Sequence, residues 1–88
     1  MRLVCVWRDN TDYAREVITW LSDFQHHTGM DVESLDPDTV EGESFVRARD
    51  IMEFPSVVAV ADDGRVLRLW RGTPMPQIDE VAYYATSD

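Results

Sequence analysis

Sulfur and imidazole carry much of the chemistry open to a small chain, and this one has little of either. Cys5 is the single cysteine among 88 residues, so neither an intramolecular disulfide nor a cysteine-based metal cluster can form. It lies inside the apolar run Leu3-Val4-Cys5-Val6-Trp7, where a cysteine usually behaves as an inert small hydrophobe. The histidines, His26 and His27, are adjacent. Neighbouring residues on a helix point in different directions, so these two do not chelate one ion together; near a helix C-terminus they are electrostatically favourable. Asp36 and Asp38 flank a proline and Asp62-Asp63 precede a glycine, which is turn chemistry and not a pair of catalytic carboxylates. Met30, Met52 and Met75 fall near element ends, as gap-filling residues. The expectation is no catalytic residue, no metal site and no cofactor.

Seventeen acidic residues oppose eight basic ones, all of them arginine, for a net charge of -9. Such a field repels nucleic acid and anionic lipid and draws partners of basic character. A hydrophobic fraction of 44% suits a globular chain, and no apolar run approaches the length of a membrane span. The opening run meets Arg8-Asp9 without a small-residue cleavage site, so it is not read as a signal peptide, and a cytoplasmic location is expected. The length fits one domain over residues 1–88, without linker or repeat.

The elements that must position any site follow from periodicity. Leu3 to Trp7 suits a strand buried on both faces. Asn10 or Thr11 can cap a helix whose inner stripe is Tyr13, Val17, Leu21 and Phe24, widened by Ala14, Ile18 and Trp20, with Gly29 as the stop. Asp31 to Asp36 reads as an edge strand. Asp38 and Glu41 form a capping box for a second helix reaching Ile51. Ser56 to Ala61 is a central strand, Asp62-Asp63-Gly64 a hairpin turn, and Arg65 to Arg71 a mixed strand. After Gly72-Thr73-Pro74, Pro76 opens a last helix with Ile78, Val81, Ala82 and Ala85 inside. The order β-α-β-α-β-β-α gives a parallel first pair and an antiparallel second pair. Placing the apolar strands centrally makes a mixed four-stranded sheet of order 2-1-3-4.

Phe54-Pro55-Ser56-Val57-Val58-Ala59-Val60, then Asp63-Gly64-Arg65, then Gly72, resemble the second half of a thioredoxin. Trp7 resembles the tryptophan four positions before that family's first active-site cysteine. On this alignment Thr11 and Ala14 occupy the two cysteine positions, and Thr11 stands 44 positions before Pro55. The chain is thus similar to the thioredoxin-like superfamily, as a thioredoxin- or glutaredoxin-type domain lacking the Cys-x-x-Cys pair and the extra first strand and helix. The resemblance implies a three-layer α/β/α fold and a cis peptide bond before Pro55.

It also implies what is missing. Disulfide exchange needs a low-pKa thiolate at a helix N-terminus and a resolving thiol, and Thr11 and Ala14 supply neither. Cys5 falls where thioredoxins carry a buried aspartate. What remains is the family's recognition surface, where the residue before the cis-proline, here Phe54, offers its backbone to an extended peptide or to glutathione. The resemblance gathers Trp7, Arg8, Thr11, Tyr13, Phe54, Pro55, Gly72 and Thr73 there. Arg8 stands where glutaredoxins often have a lysine for the glycine carboxylate of glutathione. The leading expectation is a redox-inactive, non-enzymatic module for a protein or peptide. The alternatives are binding of glutathione or a related anion without thiol chemistry, and a structural homodimer anchored by Trp70, Tyr83 and Tyr84.

Overall fold

A computed structural model of the chain describes residues 1–86. The strands are β1 (Arg2–Val6), β2 (Glu33–Leu35), β3 (Ser56–Val60) and β4 (Val66–Arg71), and the helices are α1 (Ala14–Thr28), α2 (Val40–Ala48) and α3 (Ile78–Thr86). The sheet order is β2-β1-β3-β4. β1 runs parallel to β2 and antiparallel to β3, and β3 and β4 form the antiparallel hairpin. The order follows from burial: every residue of β3 and four of the five in β1 are buried, whereas β2 and β4 are largely exposed.

Strand alternation divides the core into two layers. Leu3, Cys5, Val57 and Ala59 point to one face, where Val17, Trp20 and Phe24 of α1 and Val81 of α3 cover them. Val4, Val6, Val58 and Val60 point to the other, against Phe45 of α2, Leu35 and Ile51. Each fully buried valine contributes roughly 1.5–3 kcal/mol. Among the described residues no helix is long and apolar enough to cross a membrane.

The structure corrects several boundaries. α1 starts at Ala14, two residues later than a Thr11 cap would give, with Tyr13 in the cap position and no side-chain cap. Ile18, expected inside, is 55% exposed on the outer face of α1. β2 is three residues long. α2 is capped by Thr39, whose hydroxyl accepts the Gly42 N–H at 3.0 Å, and not by Asp38. It ends at Ala48, and Asp50 takes a positive φ of 53°, which breaks the helix before Ile51. Ile51 is nevertheless core. α3 begins at Ile78, two residues beyond Pro76: its first N–H groups, on Glu80 and Val81, donate to the Gln77 carbonyl, while the Pro76 carbonyl accepts the Trp20 indole N–H at 2.7 Å.

Candidate functional site

Strand register places the site. Leu35, Val6, Ser56 and Arg71 lie side by side on β2, β1, β3 and β4. The segments just beyond this row therefore meet at one end of the sheet: Trp7-Arg8 after β1, Asp36-Pro37-Asp38 after β2, Phe54-Pro55 before β3, and Gly72-Thr73 after β4. The Phe54–Pro55 peptide bond is cis, and so is Thr73–Pro74, which the sequence did not announce. The Gly72 N–H donates to the Pro55 carbonyl at 2.7 Å, tying two of the loops together. Gly72 has φ 70°, which favours glycine over any L side chain; a Cβ there would meet only the movable end of the Glu53 side chain, at 2.5 Å.

The loop between β1 and α1 is closed by two residues singled out above. The Thr11 hydroxyl donates to the Arg8 carbonyl at 2.9 Å, and the Tyr13 hydroxyl accepts the Arg8 N–H at 3.0 Å. Thr11, at the position the resemblance gives to the first cysteine, thus directs its oxygen back to its own loop. Tyr13 is half-buried, like Trp7 and Phe54. Trp7 leans away from Pro55: its indole N–H donates to the Ser34 hydroxyl on β2, the strand on the other side of β1, at 3.3 Å.

Arg8 is not a free cation. Its guanidinium donates twice to the Asp38 carboxylate, at 2.9 and 3.0 Å, while lying 4.9 Å from the centre of the Phe54 ring. The hydrogen bond from Arg8 holds the Asp38 carboxyl below its ordinary value, and the same bond raises the guanidinium. Sequence reasoning gave Asp38 only a turn and capping role and did not single out Ser34 or Glu53. Nothing in their spacing marks them, since they reach the site through β2 and through the loop before β3.

Phe54 has unpaired backbone groups. Its backbone N–H and C=O make no hydrogen bond among the described residues. Cys5, by contrast, is fully buried in the middle of β1, and burial pushes its thiol up to about 12. His26 and His27 each place Nδ1 within 2.9 Å or less of a carbonyl one turn back, on Ser22 and Asp23. Two surface clefts lie along α1 instead. One, of about 500 Å³, has Trp20 at its floor and Pro74 and Met75 opposite, and the other, of about 530 Å³, follows Thr11, Ala14 and Ile18. Neither is lined by Phe54 or Pro55.

The three interface aromatics differ in circumstance. Trp70 and Tyr84 pack edge to face at 5.4 Å, and the Trp70 indole N–H donates to Glu80, so both serve to dock α3 on β4. Tyr83 is 65% exposed.

No protein-family profile matches the sequence, and no curated protein matches it. Among solved structures it is similar to thioredoxin 1 from the thermophilic eubacterium Thermosipho africanus TCF52B. That similarity has a TM-score of 0.65 and 15% identity, and it covers 99% of this chain and 92% of the other. Likeness at that identity speaks for architecture alone, and with the sheet order and helix layers it establishes that the chain has a thioredoxin-like fold.

Proposed function

We propose that this chain is a redox-inactive, non-enzymatic binding module that pairs an extended peptide with the backbone of Phe54. The observation that carries the reading is the unpaired N–H and C=O of Phe54, next to the cis Pro55 and flanked by half-exposed aromatic rings. Backbone pairing gives such sites affinity and side-chain contacts give selectivity. Asp9, Asp12 and Glu53 are exposed on the adjoining loops, which favours a peptide with basic residues. The buried Cys5 supports the absence of thiol chemistry. The Arg8 charge is already matched by Asp38, so glutathione serves as the negative control and not as the ligand.

The test is an amide NMR titration of the labelled protein with a blocked peptide alternating arginine and valine. Saturable shifts at Phe54, Gly72 and Thr73, weakened about tenfold in Phe54→Pro, are the expected result. No shift at these amides up to millimolar peptide, or equal shifts with glutathione, would overturn it.

A further inference from the structure

β4 is chemically unlike the rest of the molecule. From Arg65 to Arg71 the chain reads Arg-Val-Leu-Arg-Leu-Trp-Arg, with three of the eight arginines and no acid, in a protein of net charge -9. It is also the outer strand of the sheet, hydrogen-bonded to β3 on one side only.

Antiparallel alternation tells which backbone groups remain. Gly72 pairs with Pro55 through a hydrogen bond. Stepping by two makes Trp70 with Val57 and Arg68 with Ala59 the pairs that exchange hydrogen bonds. The N–H and C=O of Leu69 and Arg71 therefore face outward. Leu67 falls at the register shift, and it and Val66 are each 38% exposed.

The side chains set what this edge accepts. Arg68 and Trp70 stand on the α3 side, where both contact Glu80. Leu69 stands on the α2 side, packed against that layer's core, and alternation puts Arg71 beside it. The Arg71 guanidinium has no ion-pair partner among the described residues. Glu80 holds Arg68 at 3.0 Å and the Trp70 indole at 3.1 Å, and Arg68 also donates to the Tyr84 hydroxyl at 3.3 Å, so an incoming carboxylate shares Arg68 with these groups while Arg71 is open to it.

Charged edges often serve only to prevent aggregation, and against a second copy these do. In the register centred on Arg68, antiparallel pairing of residues 65–71 of two copies sets Arg68 against Arg68 and Arg65 against Arg71, an arrangement of like charges directly opposed. The same arginines favour the opposite charge. We infer that the free edge of β4 is a strand-addition site for an extended acidic segment of another protein, with two carboxylates three residues apart flanking two apolar residues. The carboxylates would stand opposite Arg68 and Arg71, and the apolar pair opposite Leu69 and Trp70.

The probe is a blocked octapeptide, Ser-Thr-Glu-Val-Tyr-Glu-Thr-Ser, with a control in which both glutamates are lysine. At low salt the acidic peptide should shift the Leu69 and Arg71 amides and slow their hydrogen exchange by about tenfold or more. The control should do neither. Arg71→Glu, at an exposed position, should lose the acidic peptide and gain the lysine one with its native amide spectrum otherwise kept. Equal response to both peptides, no response up to millimolar concentration, or shifts confined to Phe54 and Gly72 would overturn the inference. So would a wild-type dimer in which the Leu69 and Arg71 amides are already protected.

Discussion

Arg8 and Asp38 are 30 residues apart in sequence and joined by two hydrogen bonds, because β1 and β2 are parallel neighbours that end on the same row. The pair lays the guanidinium 4.9 Å from the centre of the Phe54 ring and so covers part of its face. Its pH dependence follows from the lowered Asp38 carboxyl. The contact is fully present above the ordinary value of 3.8 and is lost as pH falls through the lowered one. Asp38→Asn should release Arg8 at neutral pH. The Arg8 Nε–H resonance should then lose its exchange protection, and sulfate should shift the amides of the loop after β1, which it leaves unmoved in the wild type.

Cys5 gives a sharper prediction. With its thiol raised from 9.0 to about 12, the native thiolate fraction at pH 8 falls by about a thousandfold. A thiol-reactive dye should label the folded protein at that much less than the denatured rate. The linked stability is fully present below the unfolded value near 9.0 and declines as pH rises toward the folded one. At ~1.4 kcal/mol per unit the loss reaches about 4 kcal/mol by pH 12. Urea denaturation across alkaline pH should show this slope in wild type and not in Cys5→Ala. Insulin reduction by dithiothreitol should run at the uncatalysed rate with either protein.

The sheet order was legible in the sequence because burial had written it into the strands. The unbroken apolar runs around Val4 and Val58 could only be central, and the arginines and acids of the other two could only be edges. The site was legible as positions and not as contacts. Register brings Phe54, Pro55, Gly72 and Arg8 to one end, as expected, but the carboxylate that neutralises Arg8 comes from the turn after β2, whose side-chain contacts no local pattern encodes. The α2 cap slipped by one residue for a related reason. Asp38 and Thr39 are both good caps, and only the tertiary contact with Arg8 decides between them.

Gly42 is a position where a single methyl should be costly. A Cβ there would fall 1.9 Å from the Asp36 carbonyl oxygen and 2.6 Å from its carbon, both backbone atoms that cannot turn aside. Gly42→Ala should lower unfolding stability by about 1–3 kcal/mol. Because the corner that must shift carries Asp38, the same variant should also loosen Arg8. The Arg8 Nε–H exchange rate, measured beside the urea midpoint, checks both halves.

Tyr83 should be dispensable to the fold. Its side chain is largely exposed, whereas Trp70 and Tyr84 hold α3 to β4. Tyr83→Ala should change stability by less than about 0.5 kcal/mol, and Trp70→Ala, at a half-buried position, should cost about 1–3 kcal/mol. Denaturation midpoints of the two variants give the comparison directly.

The antiparallel pairing of β1 with β3 matters while the protein is being made. Residues 2–6 lie against residues 56–60, so one side of β1 stays open as the ribosome extends the chain through α1, β2 and α2. Only when Val60 has cleared the exit tunnel can the two buried strands close on each other and both layers of the core form. Until then the nascent chain carries a bare apolar strand edge, the condition in which unfinished chains stick to one another and chaperones engage them.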